Sequence, residues 1–148
     1  MEAVVRKRVK QFCATLFFAY FLTLIYLTLF TYNYYVYGKS FNLIFFDSIK
    51  LMLASGDLWL IVRNIFGNVL LFLPFGFFVP IILRSARSFF ICLFLSFIVS
   101  LFIESCQYEF AERIFDVDDI LLNTLGGVLG WMVFKPFHGL YQMLNRKK

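Results

Sequence analysis

What this chain has little of narrows its class first. Only 16% of its residues are charged, and it carries one histidine and three cysteines. A soluble domain typically has about 25% charged residues, so the composition excludes an ordinary water-covered surface. Cys13, Cys92 and Cys106 have neither metal-binding nor redox spacing, and they fall at different ends of the apolar runs. A zinc site and a disulfide framework are therefore not expected. The chain has no Gly-rich phosphate loop. It carries a net charge of +5 but no soluble basic domain, so nucleic acid is not an expected partner.

What is present is apolar. Hydrophobic residues make up 61% of the chain and aromatic residues 22%. Several apolar runs reach the roughly 20 residues needed to cross about 30 Å of hydrocarbon. The fold class expected is an all-α integral membrane protein, a single domain over residues 1–148, in contact with a lipid bilayer. Four spans are expected, at about residues 12–30, 63–83, 88–108 and 118–134, the last ended by Lys135-Pro136. The first run is too long for a signal-peptide core and no small-x-small cleavage site follows it, so it reads as a retained span. Tyr32, Tyr34, Tyr35 and Tyr37 form an expected interfacial aromatic belt. Residues 41–53 are apolar but interrupted by Asp47 and Lys50, and read as a helix lying along the interface.

Charge placement orients the spans. Ten of the 14 Lys and Arg residues fall in the N-terminal segment, the Arg84/Arg87 turn and the tail, whereas Lys39, Lys50, Arg63 and Arg113 fall on the other side. Basic loops stay cytoplasmic, so both termini are expected inside. The acids segregate the opposite way: all but Glu2 fall on the outer side, and six of the nine lie between Glu104 and Asp119. His138, on the inner side, is remote from these acids, which removes a Ser-His-Asp triad.

Helical rise places three spans' polar groups at one level. Glu104 lies about 24 Å from the inner end of its span, Asn68 about 24 Å and Asn123 about 18 Å. Asn64 and Asn68 share a helix face at i, i+4, as do Asp119 and Asn123, and Glu104 shares one with Gln107 at i, i+3. Polar side chains facing lipid are costly, so the expectation is an outward-open polar cavity lined by these groups with Arg113 and Asp116. Blander roles compete. Amides glue transmembrane helices together. Asp116 suits the cap of the fourth span, with Asp118 and Asp119 near its positive end. Gly126 and Gly130 form a GxxxG packing face. Pro74 with Gly76 is expected to bend the second span. A carboxylate such as Glu104 is a poor choice for glue unless neutralised or paired with a cation such as Arg113. Carboxylate and amide oxygens suit a hard divalent cation, and Glu104 or Asp119 could act as acid, base or metal ligand. Arg113 could grip a phosphate or carboxylate.

The ordered set Asn64-x-x-Gly67-Asn68, Leu71-Phe72-x-Pro74-x-Gly76, Glu104-x-x-Gln107, Arg113, Phe115-Asp116-Val117-Asp118-Asp119 and Asn123-Thr124-x-Gly126 resembles the VanZ-like family of small bacterial membrane proteins. These motifs cover about residues 61–131 without departure at any motif position. The resemblance implies a multi-pass protein of the bacterial cytoplasmic membrane involved in resistance to teicoplanin and related lipoglycopeptides. Those drugs bind the D-Ala-D-Ala end of cell-wall precursors at the outer surface. The resemblance supplies no chemical mechanism. Two functional readings follow: a binder of a lipid-linked cell-wall precursor or of the lipoglycopeptide itself, and an intramembrane enzyme acting on an envelope lipid or peptidoglycan precursor. A third is a scaffold in which the polar groups set helix register.

Overall fold

The apolar runs form helices in the computed structural model, which describes residues 2–30 and 39–146. The expected tyrosine belt at Tyr32, Tyr34, Tyr35 and Tyr37 lies outside the described residues, as do Lys147 and Lys148. In chain order the elements are α1 (Glu2–Phe30), a two-residue β1 (Phe41–Asn42), α2 (Asp47–Ser55) and α3 (Leu58–Ile61). A π-helical turn at Val62–Phe66 joins α3 to α4 (Gly67–Ile82). A 3-10 turn at Arg84–Arg87, α5 (Phe89–Phe110), a two-residue β2 (Phe115–Asp116) and α6 (Val117–Arg146) complete the chain.

Four helical segments are long and apolar enough to cross a membrane: Lys7–Phe30, Leu58–Ile82, Phe89–Phe110 and Val117–Met143. At about 1.5 Å per residue even the shortest reaches roughly 33 Å. Large apolar side chains point outward along them. Phe90 is 75% exposed, Phe102 68%, Phe18 63% and Leu70 62%. Water would make that surface a liability, whereas lipid tails are its natural solvent. The chain is a multi-pass membrane protein.

With lipid outside, close packing and internal hydrogen bonds must hold the helices together. Glycines bring α4 and α6 into backbone contact. A Cβ on Gly76 would overlap the carbonyl of Gly127, one on Gly126 the carbonyl of Val69, and one on Gly130 the carbonyl of Leu73. The packing role expected for Gly126 and Gly130 holds, and Gly127 extends it to α5 by lying against Ser96. On the other side of α4, Phe72, Phe75 and Val79 are buried with Leu24 of α1 and Ile103 of α5. Tyr20 of α1 donates to the carbonyl of Leu71 on α4 at 2.6 Å.

Two boundaries differ from expectation. The helix of the fourth span does not stop at Lys135-Pro136, because α6 continues through Pro136 to Arg146. Ring contacts bracket the proline: Phe134 stacks on His138 with centroids 5.1 Å apart, and Phe137 meets Phe77 of α4 at 6.0 Å. These hold the helix on both sides of the one hydrogen bond that Pro136 removes. The segment 41–53 is likewise not one helix. Phe41 and Asn42 pair in parallel with Phe115 and Asp116. The helix starts only at Asp47, after Phe46 takes up a left-handed backbone with φ 65°. The second span starts at Leu58, where Asp57 caps α3 by accepting from the N–H groups of Trp59 and Leu60.

Candidate functional site

The site grows from a polar stripe on an otherwise apolar helix. Ser96, Ser100 and Glu104 recur every four residues on α5, with Gln107 three further on, and all are buried. Each is used differently. Ser96 donates to the carbonyl of Cys92 at 2.9 Å. Ser100 accepts from the amide of Asn123 on α6 at 3.0 Å. Gln107 donates to the carbonyl of Thr28 on α1 at 3.0 Å, which is the glue role anticipated for an amide. Glu104, only 2% exposed, accepts the backbone N–H of Asp116 at 2.8 Å through one carboxylate oxygen. Its other oxygen, Oε2, is buried without a partner, as is Oδ1 of Asn123.

The connection from α5 to α6 wraps back over this stripe. Arg113 donates its backbone N–H to the carbonyl of Gln107 at 3.3 Å, and Phe115 donates to the carbonyl of Ser40 at 3.0 Å. Asp116 caps α6 by accepting from the N–H of Asp118 at 2.9 Å. It also accepts from the hydroxyl of Ser48 and from the amide of Asn42 at 3.4 Å. Asp118 is fully buried and turns the other way, accepting from the N–H groups of Phe46 at 2.6 Å and Ile49 at 3.2 Å. These are free N–H groups at the start of α2, where a carboxylate is doubly favoured by hydrogen bonding and by the helix dipole. Asp118 is therefore the anchor that docks α2 on α6, a role the sequence did not distinguish from its acidic neighbours.

Asp119, the third carboxylate in the run, faces the bundle. It accepts from the amide of Asn68 on α4 at 2.6 Å and lies 3.8 Å from Nη2 of Arg113. Its side chain is 15% exposed and that of Arg113 30%, so the pair sits at the edge of the buried network. Glu104 is in electrostatic contact with Asp119, Arg113 and Asp116. Two carboxylates, Glu104 and Asp119, thus share the field of one guanidinium, and one oxygen of Glu104 has no donor. Among the described residues, no three His, Cys, Asp or Glu side chains converge as a set able to hold a metal ion.

Of the eight residues expected at the site, the structure links Asn68, Glu104, Arg113, Asp116 and Asp119 through hydrogen bonds and charge, whereas Asn123 bonds to Ser100 on α5. Gln107 lies on the same stripe but is committed to α1. Asn64 stands apart in the π-helical turn, its amide donating to the carbonyl of Leu60 at 2.9 Å on its own helix. Ser100 was not anticipated. Its four-residue spacing from Ser96 and Glu104 is the signal that marks it.

These features define the class: a four-span helical membrane protein with a carboxylate, amide and guanidinium cluster where α4, α5 and α6 meet. Residues 17–141 match the VanZ/LLP1 family, and the chain belongs to it. It is 30% identical over 121 residues to "Protein VanZ" of Enterococcus faecium, an alignment covering 78% of this chain and 68% of that protein. No solved structure matches.

Proposed function

We propose that this protein lowers susceptibility to teicoplanin-type lipoglycopeptides by engaging a lipid-linked cell-wall precursor, or the drug, at the cluster of Glu104, Asp119, Arg113, Asn68, Asn123 and Asp116. In this reading it sits in the bacterial plasma membrane with both termini cytoplasmic, which puts the cluster toward the outer face. The short Asp47–Ser55 helix then lies along that interface. Membership of the VanZ/LLP1 family supports the role. The charge asymmetry supports the orientation.

The observation that carries the proposal is the unpartnered Glu104 Oε2, buried within electrostatic contact of Arg113 and Asp119. A buried carboxylate oxygen without a donor is costly, and ligand N–H or O–H groups relieve that cost. Arg113, part exposed at the edge, suits the phosphate or carboxylate of an incoming head group or peptide. Asn68 holds Asp119 in place for that encounter.

One observation favours a second reading, an intramembrane enzyme acting on an envelope lipid or peptidoglycan precursor. Glu104 and Asp119 lie in electrostatic contact yet in different surroundings, one sealed and one at the edge, as acid and base partners often do. The test is binding of a fluorescent lipoglycopeptide and of a lipid-linked precursor to the purified protein, with the precursor analysed afterwards. A binder retains at least one of the two unaltered and loses it in Glu104→Gln. An enzyme returns a changed precursor. Neither capture nor change overturns both readings.

A further inference from the structure

At the end of the bundle opposite Glu104, a second feature has different chemistry. A cavity of about 680 Å³ opens between the first turns of α1, the end of α4 with the turn after it, and the second half of α6. Lys10, Arg84, Arg87 and His138 lie around it, and Phe77 and Phe137 contribute to its apolar wall. None of the twelve lining residues is acidic, and the chain has no acidic residue after Asp119. A wet cleft with so uniform a charge repels itself unless an anion occupies it.

Two of the polar groups around the cavity, Arg87 and His138, are held by their own packing. Nε of Arg87 donates to the carbonyl of Pro80 at 3.3 Å, while the Arg87 carbonyl accepts from the indole of Trp131 at 3.2 Å. That leaves the outer nitrogens of the guanidinium available to a ligand. His138 is stacked on Phe134 and lies 3.0 Å from the amide of Gln142. The charged rim sits where the apolar stretch of α4 ends, and the aromatic wall continues from it down the bundle.

We infer that this cavity binds the head group of an anionic glycerophospholipid, with its phosphate on Arg84, Arg87, Lys10 and His138 and its acyl chain along Phe77 and Phe137. A soluble phosphate would use the rim but not the aromatic wall. A zwitterionic lipid would use the wall but would bring a cation against the rim. Only an anionic lipid satisfies both, and basic pockets between transmembrane helices are a recurrent means of holding such head groups. The site shares no residue with the Glu104 cluster and does not depend on the function proposed for it.

The test uses the full chain in an uncharged detergent, with bound lipid counted by native mass spectrometry. Phosphatidylglycerol and phosphatidylcholine of identical acyl chains are titrated separately, and inorganic phosphate is added in competition. We expect phosphatidylglycerol to bind at least about tenfold more tightly than phosphatidylcholine, with each removed cation lowering that affinity about fivefold. Arg84→Gln and Lys10→Gln therefore weaken phosphatidylglycerol binding, Arg84→Lys restores most of it, and Lys50→Gln, in the remote α2, leaves it unchanged. Equal binding of the two lipids by the unmodified protein overturns the inference without any variant. So does displacement of phosphatidylglycerol by millimolar inorganic phosphate, which would mark a site for free anions.

Discussion

Glu104 and Asp116 are twelve residues apart in sequence, and the carboxylate of one accepts the backbone N–H of the other at 2.8 Å. That bond closes the loop between α5 and α6 and sets where α6 begins. It uses only one of the two carboxylate oxygens, so Glu104 both holds the fold and keeps a buried acceptor in reserve.

The two roles separate by substitution. Glu104→Gln keeps an oxygen for the Asp116 N–H and should leave thermal stability within a few degrees of the parent. Glu104→Leu orphans that N–H and should cost about 1–3 kcal/mol. Thermal unfolding of the detergent-solubilised variants checks this. Equal losses for both would show that the charge, not the hydrogen bond, holds the loop.

Asp118 is expected to matter for a different element. Asp118→Ala removes the acceptor of the Phe46 and Ile49 N–H groups and should undock α2 while α4, α5 and α6 stay packed. Hydrogen exchange at residues 46–49 should accelerate by at least tenfold, matching the loss of about 1.4 kcal/mol or more. Protection at Asn123 and Gly127 should not change. The left-handed Phe46 sharpens the expectation, because its backbone is held in an uncommon region by this contact.

The glycines of α4 and α6 give opposite signs. Gly127→Ala places a methyl into Ser96, and Gly76→Ala places one into the Gly127 backbone, so each should destabilise by about 1–3 kcal/mol or more. A Cβ at Gly139 meets nothing within 4 Å, and Gly139→Ala should stabilise by up to about 1 kcal/mol through helix propensity. Melting temperatures of the three variants decide it.

Membrane orientation has its own check. Cysteines placed at Lys39 and at Arg84 in a cysteine-free parent should react with an impermeant thiol reagent from opposite sides. Labelling of position 39 in intact cells and of position 84 only after lysis fits cytoplasmic termini. The reverse pattern would turn the Glu104 cluster toward the cytoplasm and remove the proposed encounter with drug.

The four spans were legible because apolar length is a direct readout of bilayer thickness. The meeting of Asn68 on α4 with Asp119 on α6 was legible for a similar reason, since helical rise is nearly constant. Partners were harder. Nothing local distinguishes Asp118, which anchors α2, from Asp119, which faces Asn68. The difference is the 100° turn between consecutive helical residues, and the docking partner lies more than sixty positions away. Asn64 misled because i, i+4 spacing puts two amides on one face without deciding which acceptor each finds. Pro136 misled because a proline's cost is local, whereas the rings at Phe134, Phe137 and His138 that offset it are set by tertiary packing.

In the proposed function the Glu104 cluster engages a ligand from outside the bundle as well as bracing it. Drug susceptibility of cells carrying the parent or Glu104→Gln, at equal membrane abundance and equal melting temperature, tests this most directly. Glu104→Gln is expected to return teicoplanin susceptibility to that of cells lacking the protein. Parental resistance in that variant would contradict it.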